Sequence, residues 1–174
     1  EQSFKLPDIG EGITEAELEA LKAPEPFSPF VFPAIRRSRQ YGPPSEGLKM
    51  DLDLEEFKPD NVDELIGAIG DELSNIGKKW WEVNSQLVTG YLRSLAEATF
   101  QTQIALAQGR ITPEQADRIM HMQEVAFTST VHFTKYMTFA LAQKVLNTTF
   151  KIVGWAFYNK TGINLFPQLV SPSD

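Results

Sequence analysis

Apolar residues recur at steps of three and four through the middle of the chain: Leu65, Ile69, Leu73, Ile76, Trp80, Val83, Leu87, Tyr91 and Leu95. That spacing puts them on one face of an α-helix sustained over about four heptads. Gly67, Gly70 and Gly77 weaken its beginning by about 1 kcal/mol each relative to alanine, so fraying or a break is expected there. Further along, the pattern changes. Residues 125–160 contain no acid, and their charges are Lys135, Lys144, Lys151 and Lys160. Phe127, Phe133, Tyr136, Phe139, Phe150, Trp155, Phe157 and Tyr158 are spread around the whole circumference. One antiparallel partner covers only a stripe of such a helix, so more neighbours are required. The candidates are the chain's own N-terminal arm, copies of itself, other subunits, or a lipid surface.

Prolines set the boundaries of these patterns. Eight of eleven fall at or before Pro59, leaving two proline-free stretches, 60–112 and 114–166. Proline lacks an amide donor and clashes inside a helix, so both stretches read as helix and residues 1–59 do not. Thr112-Pro113-Glu114-Gln115 has the form of a capping box with proline at the first helical position. Gly162 and Pro167 mark the other end of that helix. The intervening Gln108-Gly109-Arg110-Ile111 is short enough to force antiparallel neighbours. The expected fold is therefore all-α: a long antiparallel hairpin over 60–166, with arms of up to about 45 residues, roughly 70 Å each. Residues summing to about 221 should face one another about a turn centred near position 110.5. Gly67 is then expected opposite Gly154, and Trp80 and Trp81 opposite Leu141 and Ala140. The acids from Asp60 to Glu72 are expected beside Lys151 and Lys160. A bundle completed by partners would cover the remaining surface, and 167–174 forms a tail.

The first 59 residues are different in kind. Thr14-Glu15-Ala16-Glu17 is a second capping box, suited to one short helix. Pro24-Glu25-Pro26-Phe27-Ser28-Pro29-Phe30-Val31-Phe32-Pro33 follows. Proline alternating with aromatics favours an extended segment that lays its rings into another surface. Phe27, Phe30 and Phe32, with the basic Arg36 and Arg37, are thus candidate partner contacts. Trp155, Phe157 and Tyr158 of the apolar second arm join them. Residues 5–17, KLPDIGEGITEAE, resemble the opening strand of a lipoyl domain of 2-oxoacid dehydrogenase complexes. That resemblance implies a modified lysine within Asp-Lys-Ala. No such tripeptide occurs, Lys22 sits in Leu21-Lys22-Ala23, and helix and proline-rich chain replace the strands. No acyl-carrying arm is expected.

The chain has 174 residues and a net charge of −7, which argues against a nucleic-acid partner. It has no cysteine, which excludes disulfides and thiolate metal sites. No apolar run reaches membrane-spanning length and no signal peptide is recognisable. His121 and His132, eleven residues apart on a helix, stand about 16 Å from each other, too far to share a metal. Asp117, His121 and Glu124 share a helix face and read as a surface or interface cluster. The glycosylation-like Asn147-Thr148-Thr149 and Asn159-Lys160-Thr161 fall on a predicted helix and read as coincidence. No phosphate loop, serine elbow or zinc spacing appears. The expectation is a protein that is not an enzyme and uses no cofactor: an oligomeric structural or interaction subunit of a large assembly, such as a virion or tail component or an accessory subunit. It would sit in the cytoplasm or within that assembly. The alternative is an amphipathic coat on a lipid or polymer-granule surface. Phasins look similar in length and helicity, though no motif is shared.

Overall fold

A computed structural model describes residues 50–171; the arm residues Phe27, Phe30, Phe32, Arg36 and Arg37 lie outside them. The described residues are all-helical. Four helices, α1 (Val62–Ile76), α2 (Lys78–Ala107), α3 (Pro113–His132) and α4 (Phe139–Thr161), follow one another without a strand. No helix among them is long and apolar enough to cross a membrane.

Each expected 45-residue arm is therefore two helices. The first arm breaks at Gly77, where φ −144° and ψ 66° leave the helical region. The Gly77 N–H still closes α1 on Leu73 O at 3.1 Å, and its carbonyl accepts from Trp81 N at 2.8 Å. α1 then folds back along α2. Asp63 meets Arg93 at 2.9 Å, and a Cβ at Gly70 would lie 3.3 Å from the Trp81 ring. The second arm breaks at 133–138 and α4 also folds back, so the order is up, down, up, down. α2, thirty residues long, spans about 45 Å.

Folding both arms at the same height preserves part of the expected pairing. Lys160 and Asp60 approach to 3.9 Å. Leu141 reaches the corner at Gly77, where its Cδ1 would lie 3.0 Å from any Cβ. Leu141 and Trp80 flank that same corner, and Trp80 also bonds Thr134 of loop 133–138 at 2.8 Å. One pairing is corrected. Gly67 is exposed with nothing beside it, while Gly154 packs against Val170 and Phe166.

The ends of the helices follow the chemistry of their sequences. Asn61 caps α1 by accepting from Glu64 N at 2.9 Å. Thr112 and Gln115 form the reciprocal capping box at α3. The Glu114 carboxyl is held below its ordinary value, chiefly by its own backbone N–H and then by the Thr112 hydroxyl. Gly162, at φ 73°, closes α4 in the left-handed region through its N–H to Tyr158 O at 2.7 Å.

The core is built around α4. Every residue from Val145 to Phe157 except Lys151 is buried. Phe150 meets Phe127 of α3 edge-on at 5.9 Å and stacks on Phe166 at 5.6 Å. Residues beyond α4 turn back so that Leu165, Phe166, Leu169 and Val170 are buried. The segment before α1 covers another side. Met50, Leu52, Leu54 and Phe57 pack on the core, and the Asn159 amide donates to Leu54 O and Phe57 O, both at 2.9 Å. From Val145 to Phe157 the apolar circumference of α4 is thus satisfied within the chain, by α1–α3 and these two flanking segments, while Phe139 at its start stays exposed.

Candidate functional site

Trp155 and Phe157, expected to meet a partner, are buried in the chain's own core, and Tyr158 is half-buried against Trp155. The Trp155 and Phe157 rings are covered from within the chain, while Tyr158 keeps part of its surface open. Asn147 is buried too, and the Asn159 amide is committed to two carbonyls, so neither sequon presents an accessible acceptor.

The acid–histidine face also differs from a surface cluster. Glu124 is fully buried, with its Oε2 3.3 Å from His121 Nδ1. Such a pairing lets a carboxylate lie inside a helical core. No group of three or more His, Cys, Asp or Glu among the described residues could hold a metal ion. At the lower end a cleft of about 650 Å³ is lined by Phe100, Gln103, Ile104, Ile111, Lys160 and Ile163, among others. Its lining is mainly apolar, and its charged pair, Asp60 and Lys160, is solvated.

The arrangement that stands out is at the upper end. After α3 stops, the Thr134 hydroxyl donates back to Val131 O and accepts the Trp80 indole N–H at 2.8 Å. Asn84, one turn along α2, holds the next residue from both sides. Its Nδ2 donates to Lys135 O at 3.0 Å, and its Oδ1 accepts from Lys135 N at 3.2 Å. Thr138 then caps α4 by accepting from Leu141 N at 3.2 Å. Within this clamp Tyr136 is driven to φ 62°, a conformation a bulky residue adopts only when its surroundings impose it.

What the clamp presents is aromatic. Phe133 is 90% exposed, Phe139 76% and Tyr136 62%, the highest values for large rings among the described residues. Lys79 Nζ lies 5.0 Å from the centre of the Tyr136 ring, within cation–π range. No known family model, curated protein or solved structure matches this chain.

A second apolar feature runs down the flank of α2. Val83, Leu87 and Tyr91, at successive turns, are each about half exposed. The periodic pattern in the sequence includes them in the core stripe. The buried line of α2 instead runs Trp80, Asn84, Val88, Leu92, Leu95 and Thr99. One residue of offset is a rotation of about 100°. The signal that could have placed the turn at 133–138 is weak: Thr128, Ser129, Thr130, Thr134 and Thr138 form a run of poor helix formers with Thr138 at cap spacing from Leu141.

Proposed function

We propose that the protein is a non-enzymatic structural subunit that works by docking to other protein subunits, including copies of itself. The observation that supports this is the Val83–Leu87–Tyr91 stripe: apolar, regular, and left outside a core that is already filled. Three side chains at successive turns fit the groove of another helix, the commonest way two helices join. Because α4 is occupied internally, the free docking faces are the α2 flank and, in this proposal, the aromatic arm carrying Phe27, Phe30 and Phe32.

The test is the mass of the full chain in solution at micromolar concentration, beside Leu87→Lys. The native chain is expected to form a discrete oligomer that the variant loses while keeping its helicity. A native chain that is monomeric, or a variant with the same mass as the native oligomer, overturns the docking role of this flank.

A further inference from the structure

We infer that the upper end of the bundle is a docking surface for an anionic phospholipid bilayer, with Phe133 and Phe139 entering the headgroup region and the surrounding lysines meeting lipid phosphates. The inference goes beyond the subunit reading and does not depend on it, since it uses a different face.

Charge selects this occupant. The whole chain carries −7, yet its upper end is cationic. Lys78 and Lys79 at the start of α2, Lys135 in the loop and Lys144 in the second turn of α4 are all exposed. Among residues 77–82 and 132–144, Glu82 is the single acid. In α1 the nearest acids, Asp71 and Glu72, lie more than a turn below the corner at Gly77, and Glu72 is buried. Other exposed acids before and at the start of α1 lie further down: Asp51 beside Glu72 at 3.1 Å, Asp63 paired with Arg93 halfway along α2, and Asp60 beside Lys160 at the lower end. A molecule so polarised approaches a negative surface with its lysine end first.

Geometry selects the same end. Phenylalanines at 90% and 76% exposure, flanking a lysine and a tyrosine, form the amphipathic set that sits at a membrane interface. Tyr136 carries its own polar tip and a neighbouring cation at 5.0 Å. The clamp of Trp80 and Asn84 holds the loop in advance, so little ordering accompanies insertion. The depth is shallow: rings at a bundle end reach the interface and do not span it.

The experiment is co-sedimentation of the full chain with two kinds of vesicle, phosphatidylcholine alone and phosphatidylcholine mixed equally with phosphatidylglycerol. The native chain is expected to pellet with the anionic vesicles, more weakly as salt rises, and hardly with the neutral ones. Phe133→Ser/Phe139→Ser should bind roughly a hundred-fold more weakly, about an order of magnitude per ring. Lys79→Glu/Lys135→Glu should lose roughly ten-fold or more on the anionic vesicles alone. All four positions are exposed, so circular dichroism of both variants should match the native spectrum. No sedimentation with anionic vesicles overturns the proposal, and so does equal sedimentation with both kinds. If neither vesicle binds and the phenylalanine variant instead changes the oligomeric mass, the end is a protein contact and the lipid reading is wrong. Failure of the Leu87→Lys test leaves these outcomes unchanged, so the two ideas fall separately.

Discussion

α2 and α4 lie side by side and point the same way, joined where Gln103 Nε2 donates to Ala156 O at 3.3 Å. Their sequences promise opposite things. α2 has a regular apolar stripe and should bury it; α4 is apolar all round and should leave part of itself uncovered. The structure reverses both expectations. α4 is covered from Val145 to Phe157, leaving its first turns open, and half the stripe of α2 faces water. The reason is connectivity. Breaks at Gly77 and at 133–138 turn one long hairpin into four helices, which gives α4 the neighbours it needs. The same breaks rotate α2 so that the polar Asn84 faces inward to hold the loop. Periodicity shows that a helix has two faces; its neighbours decide which one is buried.

The sharpest way to test that contrast is to remove a side chain from each helix. Phe150→Ala should destabilise the fold by about 3–5 kcal/mol, the usual cost of emptying a fully buried aromatic site. Leu87→Ala should stay within about 0.5 kcal/mol, as exposed positions do. Urea unfolding curves followed by circular dichroism measure both. Both are compared at a concentration low enough for the chain to be monomeric, where similar losses for the two would mean that the α2 stripe is buried within the single chain and that the contrast is false.

A smaller effect tests the clamp that separates α3 from α4. Asn84→Ala removes two hydrogen bonds to the Lys135 backbone, worth about 2 kcal/mol together. Helicity should persist while the loop opens locally, seen as faster amide exchange at 134–137 than in α3 or α4. Unchanged exchange there would show that Tyr136 holds its left-handed conformation without Asn84, and that the loop is organised by something else.

How much of this is legible in the sequence depends on the kind of signal. The capping box at Thr112, the stop at Gly162 and the turn between Ala107 and Pro113 are local, carried by side chains within a few residues, and all appear where the sequence places them. The weakness near Gly77 is local as well. What the sequence hides is tertiary. The bend at 133–138 contains no glycine or proline; it exists because Trp80 and Asn84, about fifty residues away, supply partners for it. Burial of Phe150 and Gly154 likewise depends on Phe166 and Val170 returning over them, a contact between segments that no helical period encodes. The exposed aromatic end was missed for the same reason, since Phe133, Tyr136 and Phe139 look like core residues until the helix stops.

A further predicted effect has the opposite sign and concerns why α4 tolerates polar residues in so crowded a place. Thr149 is fully buried, and its hydroxyl has no hydrogen-bond partner; Thr148 and the Asn147 side-chain oxygen share that state. Three consecutive helical residues point about 100° apart, so these atoms cannot converge on one ligand. They are separate imperfections in the packing. Leaving a buried hydroxyl unpaired costs about 1–3 kcal/mol relative to a satisfied one. Valine keeps the branched shape of threonine and replaces the hydroxyl with a methyl group. Thr149→Val should therefore raise stability by about 1 kcal/mol, with the helical signal and the oligomeric mass unchanged. On α2, Thr99 makes a useful control. It is equally buried, but its hydroxyl donates to Leu95 O at 2.8 Å, so Thr99→Val should gain less or lose slightly. A loss at Thr149 equal to that at Thr99 would mean that the α4 hydroxyl finds a partner in solution, and that the crowding around α4 leaves room for a buried water.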